Sequence, residues 1–196
     1  MTSIKKLLGL GKHRKLKGKE LDALESSVGF SREEIQEWHK EFRKTCKRGR
    51  YLTIDEFRKV YNKLFPGDVN TFAQHMFRSF DKDGNGRVDF QEFLIGLSVS
   101  SSSDIEQKLR WAFDMYDVDG NGTISRSEMM DILNSVYKMT DLNAGDGNTP
   151  EKMTERLFKK MDTNGDGELS WEEFLEGAKQ DSMIVNMLTM EPDPTQ

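Results

Sequence analysis

Asp81, Asp83, Asn85, Asp89 and Glu92 occupy positions 1, 3, 5, 9 and 12 of a 12-residue stretch (DKDGNGRVDFQE) whose sixth residue is Gly86. The arrangement recurs twice. Asp117, Asp119, Asn121, Ser125 and Glu128 surround Gly122, and Asp162, Asn164, Asp166, Ser170 and Glu173 surround Gly167. Every one of these side chains ends in oxygen, and a glutamate at position 12 can offer both carboxylate oxygens to one ion. Position 7 (Arg87, Thr123, Glu168) has only to supply its backbone carbonyl, so its side chain is free to vary. A calcium ion is a hard cation that takes six to eight oxygens, and an all-oxygen loop reversing sharply at a glycine supplies them. An acidic turn between helices yields one such pattern by chance; three in frame are a ligand set for three calcium ions.

The loops start at residues 81, 117 and 162, and a backward step of 36 residues reaches Thr45. Thr45–Glu56 (TCKRGRYLTIDE) keeps an apolar eighth residue, Leu52, and the terminal Glu56. Thr45, Lys47 and Gly49 replace the oxygen donors, Arg50 replaces the turn glycine, and Lys47, Arg48 and Arg50 would repel a divalent cation. This loop is read as metal-free. Its structural part survives, because such helix–loop–helix units, EF-hands, pair through their eighth residues. Leu52 is expected opposite Val88, and Ile124 opposite Leu169. The reading is an all-α fold: four EF-hands in two paired lobes, with short antiparallel ladders between paired loops.

The helices that must hold these loops show in the apolar spacing. Ser31 with Glu34 makes a capping box before Ile35, Trp38 and Phe42. Phe57, Val60, Tyr61 and Leu64 predict a helix ended by Phe65-Pro66-Gly67. Ala73, Met76, Phe77 and Phe80 enter the second loop, and Phe90, Phe93, Leu94 and Leu97 leave it. Ser103 with Glu106 is expected to cap the helix that enters the third loop through Leu109, Ala112, Phe113 and Tyr116. Met129, Met130, Leu133 and Val136 leave it. Thr149 followed by Pro150 predicts the next helix start, and Phe174, Leu175 and Ala178 follow the last loop. The surplus spacing before that loop falls in Thr140–Thr149, a surface connection. The domain reading is therefore a basic arm and lead-in over 1–29, an N-terminal lobe over 30–99, a serine-rich linker at 100–103, a C-terminal lobe over 104–180 and a tail over 181–196, with a short helix at Asp181–Met190.

Composition excludes several classes. No run of 18 apolar residues spans a bilayer, and the apolar stretch Leu7–Leu10 is too short for a secretory signal. The single cysteine, Cys46, rules out an internal disulfide and suits a reducing cytoplasm. His13, His39 and His75 lack metal-ligand spacing, and no Ser/His/Asp, Cys/His or phosphate-loop arrangement is present, so the chain reads as a non-enzyme. The net charge of −5 conceals an asymmetry. Residues 1–19 hold Lys5, Lys6, Lys12, Arg14, Lys15, Lys17 and Lys19 and no acid, leaving 22 basic against 34 acidic residues beyond them. Such an arm attracts anionic lipid at about 1 kcal/mol per charge near the surface, with Ile4, Leu7 and Leu8 able to insert; a solvated tail is the alternative. The acidic body repels nucleic acid, and no nucleic-acid fold motif accompanies the arm.

Six further features stand out: Glu106-Gln107-Lys108-Leu109-Arg110-Trp111-Ala112-Phe113, Tyr116-Asp117-Val118-Asp119-Gly120-Asn121-Gly122, Thr149-Pro150-Glu151, Met161–Asp166, Gly177-Ala178-Lys179 and the silent first loop with Cys46 second. Together they resemble the neuronal calcium sensor family, closest to its hippocalcin, neurocalcin and visinin-like branch. Three departures stand out. Thr2 takes the place of the family's acylated glycine, so N-myristoylation is not expected. Lys47 follows Cys46 where the family has proline, and Ser103 stands at a hinge glycine.

The resemblance implies a cytoplasmic calcium sensor, at most peripheral at a membrane, in which ion binding opens a lobe and bares an apolar groove for a partner's amphipathic helix. It implies a groove in the N-terminal lobe lined by Phe30, Trp38, Tyr61, Phe65, Phe90, Phe93 and Leu97. The competing readings are a passive calcium buffer and a tightly bound regulatory subunit of a phosphatase or kinase.

Overall fold

Two short β-ladders hold the architecture in register. In the computed structural model, which describes residues 16, 18–46, 50–141 and 149–180, the chain divides into two compact units between Ser102 and Ser103. In the first unit β1 (Tyr51–Leu52) runs antiparallel to β2 (Val88–Asp89), with Leu52 opposite Val88. In the second, β3 (Thr123–Ser125) pairs with β4 (Glu168–Ser170), with Ile124 opposite Leu169. These eighth residues are almost wholly buried, so each ladder pins its two loops together through a shared apolar contact. The fold is all-α with two EF-hand pairs, as the ligand pattern and its spacing imply.

The helices of the first unit are α1 (Lys19–Ser27), α2 (Arg32–Thr45), α3 (Ile54–Tyr61), α4 (Asn70–Phe80) and α5 (Phe90–Ser100). Those of the second are α6 (Ile105–Tyr116), α7 (Arg126–Thr140), α8 (Pro150–Met161) and α9 (Trp171–Lys179). Every helix that leaves a loop starts with a capping box built from loop residues 9 and 12: Thr53 with Glu56, Asp89 with Glu92, Ser125 with Glu128 and Ser170 with Glu173. Residue 9 accepts the backbone N–H of residue 12, and the residue-12 carboxylate accepts the N–H of residue 9. Ser31 with Glu34 does the same for α2, and Thr149 caps α8 with Pro150 at its first position.

At three places the structure departs from what the sequence predicts. The cap of α6 is Asp104, whose Oδ1 accepts from Glu106 N at 2.9 Å and Gln107 N at 3.3 Å. Ser103 lies one residue outside. A carboxylate brings a full negative charge to the positive helix end, where a hydroxyl brings only a dipole. Second, α3 ends at Tyr61 rather than running to Phe65. Lys63 N and Leu64 N bond three residues back, to Val60 O and Tyr61 O, so the chain tightens out of the helix before Pro66 is reached.

Third, the lead-in to the N-terminal lobe is itself helical. Leu21 and Leu24 of α1, with Leu16 and Val28, pack into one apolar cluster with Ile35, Trp38, Leu94 and Leu97. Gln36 Nε2 donates to Leu16 O at 2.8 Å, and Arg32 pairs with Asp22 at 2.6 Å and Glu25 at 2.8 Å. These ion pairs are solvent-exposed and contribute little; the leucines hold the helix down. Residues 1–15 of the basic arm, Lys17, Lys47–Gly49, residues 142–148 and the helix read at Asp181–Met190 lie outside the described residues.

The cap assignment is directly testable. Asp104→Ala is expected to cost about 1 kcal/mol of second-unit stability in urea unfolding of the calcium-free chain, and Ser103→Ala to cost almost nothing. The reverse order would place the cap on Ser103.

Candidate metal centres

Loop two shows how the sequence shapes a site. Phe80 ends α4, and Asp81 caps its C-terminus as the first loop residue. Asp81 Oδ1 accepts from Asn85 N at 3.1 Å and its Oδ2 from Gly86 N at 2.8 Å, while Asp83 Oδ1 also accepts from Asn85 N at 3.1 Å. These bonds wind the backbone round the carboxylates. Gly86 sits at φ 77°, a conformation L side chains resist, although a Cβ there would meet open space. The demand on position 6 is thus one of backbone angle, not of room. Position 4, which the sequence reading passed over, is likewise a glycine at positive φ in each of the three loops: Gly84, Gly120 and Gly165. Its signal was the Asp-Gly or Asn-Gly step itself.

Glu92 closes the loop from the other end. Its Oε1 accepts from Lys82 N at 3.0 Å and its Oε2 from Asp89 N at 2.9 Å. One carboxylate therefore ties the entering turn to the exiting helix. Glu128 bridges Val118 N at 2.8 Å and Ser125 N at 2.8 Å. Glu173 bridges Thr163 N at 3.0 Å and Ser170 N at 3.1 Å. Carboxylate oxygens of Asp81, Asp83 and Glu92 lie within 4.8 Å of one another, as do those of Asp117, Asp119 and Glu128. In loop four, Asp162 accepts from Gly165 N and Gly167 N, and Asn164 Nδ2 donates to Asp166 Oδ2 at 2.9 Å. This hard, all-oxygen donor set fits calcium; it offers no nitrogen or sulfur that would favour zinc or copper.

The position-7 side chains point to the neighbouring loop instead. Arg87 lies over the Tyr51 ring at 4.4 Å, and Thr123 Oγ1 donates to Glu168 Oε2 at 2.6 Å. Each contact joins the two seventh residues of a pair across the ladder. In loop one, Glu56 is buried, and its Oε2 accepts from Thr53 N at 2.9 Å and Thr53 Oγ1 at 3.0 Å. It keeps the capping half of the position-12 role. Thr45, at position 1, turns its hydroxyl back to Glu41 O at 3.3 Å. Cys46 beside it is buried, and burial, reinforced by the Glu56 charge, pushes its thiol up to about 12. It is a protonated filler rather than a nucleophile.

The three closing glutamates differ electrostatically in the calcium-free chain. Burial raises Glu92 above the usual carboxylate range, and the charges of Asp89 and Asp83 push the same way against backbone donors. Burial also opposes ionisation of Glu128 and Glu173, but donors outweigh it. Ser125 and the amides of Val118 and Asp119 lower Glu128, while Ser170, Thr163 and Asn164 N hold Glu173 at about 2. Burial is the largest upward push on Glu92, and residue 9 adds to the contrast: a serine hydroxyl donates to Glu128 and to Glu173, whereas Asp89 brings a second negative charge to Glu92. With its folded value below its unfolded one, Glu173 stabilises the second unit above a pH of about 4.5, and that contribution is lost as pH falls towards about 2. Glu92, shifted upward, works against the first unit once ionised.

The seven groove residues fall into two sets. Trp38 and Leu97 are buried, and Phe30, Phe90 and Phe93 are half-buried against the same cluster, which includes Leu16, Leu21 and Leu24. Tyr61 and Phe65 belong elsewhere: Tyr61 stacks on Phe57 at 5.0 Å and on Phe65 at 5.9 Å, and approaches Phe72 at 5.9 Å. Among the described residues Ile105 is the one large apolar side chain that is exposed.

Comparison with known proteins agrees with this geometry. The family model of an EF-hand domain pair matches residues 47–98 and 106–179. Recoverin of Homo sapiens is 39% identical over 191 residues, covering 94% of this chain and 95% of that protein. Neuronal calcium sensor 1 of Lymnaea stagnalis is 44% identical over 180 residues, 90% of this chain and 94% of its own length. The chain belongs to the neuronal calcium sensor family. Guanylyl cyclase-activating protein 2 of Gallus gallus, 36% identical over 167 residues (82% of this chain, 84% of that protein), carries its target in its name. The family and the acidic loops together make calcium binding the chemistry of this chain, and sensing its role. No helix among the described residues is long and apolar enough to cross a membrane.

In calcium-free protein, side-chain carbon shifts followed against pH are expected to place the Glu173 titration near 2 and that of Glu92 above 4.5. Asp89→Ser is expected to lower Glu92. A Glu92 midpoint unmoved by Asp89→Ser would remove residue 9 as a cause.

Proposed function

We propose that the chain is a calcium sensor that binds three ions, at loops two, three and four, and answers by opening its first unit to a partner protein. The observation that carries this reading is that each position-12 glutamate accepts hydrogen bonds through both of its oxygens. Glu92, Glu128 and Glu173 each hold the entering turn with one oxygen and the exiting helix with the other. A calcium ion that takes both oxygens draws on the same carboxylate, so its arrival bears directly on the position of α5, α7 and α9. Loop one keeps only the cap and offers no comparable donors. The first unit thus answers to loop two alone.

The partner surface is the apolar cluster of Phe30, Trp38, Phe90, Phe93 and Leu97, with Tyr61 and Phe65 as a second stack that would join it on opening. An amphipathic helix with anchors at three- and four-residue spacing is the matching shape. Because α1 packs on the first set, a partner must displace it or extend it. The apolar cluster is what separates this reading from a passive buffer, which has no use for a cluster beside a silent loop. The basic arm adds contact with anionic lipid, in keeping with a cytoplasmic protein peripheral at a membrane.

Calorimetry is expected to count three ions, with affinities of roughly 10⁻⁷–10⁻⁵ M. Glu92→Gln is expected to remove one of them and most of the calcium-dependent binding of a hydrophobic dye. Four ions, or dye binding untouched by Glu92→Gln, would overturn the assignment.

Vesicles test the arm separately. Sedimentation with phosphatidylserine vesicles is expected to weaken steeply as salt screens the charges, and to vanish with neutral vesicles or on deletion of residues 1–19. Binding that survives the deletion would make the arm a solvated tail.

A further inference from the structure

In each unit the helix leaving the second loop carries a glycine one turn beyond its position-12 glutamate: Gly96 after Glu92 and Gly177 after Glu173. Residues four apart share a face of the helix, so each glycine lies on the glutamate's side. A Cβ on Gly96 would stand 2.3 Å from Phe80 Cε1, 2.5 Å from Cδ1 and 2.9 Å from Cζ. Real Cβ atoms do not come so close. Phe80 is the last residue of α4, immediately before Asp81, and its ring is confined by Phe57 at 5.6 Å and Phe93 at 6.4 Å. On Gly177 a Cβ would stand 2.4 Å from Met161 Cγ, and Met161 immediately precedes Asp162. Loops one and three carry Val60 and Ile132 at the matching position, so the missing side chain belongs to the second loop of each pair.

The geometry points to Gly96 and Gly177 as positioning residues for calcium. Each lets the residue before position 1 press against the exiting helix, and so sets the separation between the first and last carboxylate ligands of its loop. The inference rests on the calcium reading of loops two and four. Relieving the Gly96 contact to an ordinary 3.4 Å moves ring or helix by about 1 Å. Calcium–oxygen distances span only about 2.3–2.6 Å, so a shift of that size carries Glu92 out of reach of an ion held by Asp81 and Asp83. The two sites differ in tolerance. A caged phenyl ring cannot yield, whereas the unbranched Met161 can rotate away.

The test is calcium calorimetry on the full chain in a Glu128→Gln/Glu173→Gln background, where loop two is the site titrated. Gly96→Ala is expected to weaken binding there at least tenfold, and Phe80→Leu added to it to restore most of the loss by freeing the space. In a Glu92→Gln/Glu128→Gln background, Gly177→Ala is expected to weaken loop four by threefold or less. Alanine is the better helix former, so a glycine of purely structural consequence would leave calcium affinity unchanged or raised on substitution. Circular dichroism checks folding. A Gly96→Ala chain that unfolds while the double variant folds and binds supports the same steric cause. Unchanged affinity in Gly96→Ala, or no recovery in the double variant, overturns the inference while calcium binding at loop two stands. A background chain that binds no calcium at loop two overturns both.

Discussion

Each working loop closes through one carboxylate that faces two ways. The position-12 glutamate lies at the third residue of a helix, where its second oxygen caps the helix start, and its first oxygen reaches back ten residues to the opening turn. Removing it would leave orphaned amides at both ends of the loop. Loop one shows the division of labour. Glu56 still caps α3 through Thr53, and α3 still forms. The capping role starts the helix, and the bridging role is the one through which, under the proposed reading, an ion would act. A chain can discard the second without losing the first.

That separation explains why a silent loop is retained at all. β1 supplies the partner strand for β2, and Leu52 fills the space opposite Val88. Without it, loop two would have an unpaired strand edge and a hole beneath its eighth residue. Arg87 over Tyr51 covers the ladder from outside, where Thr123 and Glu168 do the same in the second unit with a hydrogen bond. Two unrelated chemistries occupy one structural position. The ladder brings the seventh residues within reach of each other and leaves their type open.

The loops, ladders and most helix starts were legible because coordination and capping chemistry dictate residue type at fixed spacing. Asp, Asn, Glu and Gly have few substitutes at those places. The helix α1 was harder to see, although Leu21, Leu24 and Val28 stand three and four apart, because the cations before it gave the segment the look of a solvated arm. Asp104 and Ser103 are both competent caps, and only the path of the backbone chooses between them. Gly96 carried no signal beyond being a glycine in a helix. Its meaning depends on Phe80, sixteen residues earlier in sequence, and contacts of that kind are a property of packing rather than of pattern.

The ladders also bear on the shape of the calcium response. In the second unit β3 and β4 join two loops that both carry a full donor set, so under the proposed reading an ion in one would bear on the strand that the other shares. That is the physical route to cooperativity, and a pair of coupled sites steepens its titration up to a Hill coefficient of about two. In the first unit the same connection runs from loop two to loop one, where the sequence replaces the oxygen donors. Under the proposed reading its response is that of a lone site, graded over about two decades of free calcium. One chain would thus hold a steep element and a shallow one side by side, through the same kind of ladder, with the difference made by the carboxylate and amide oxygens that Thr45, Lys47 and Gly49 replace.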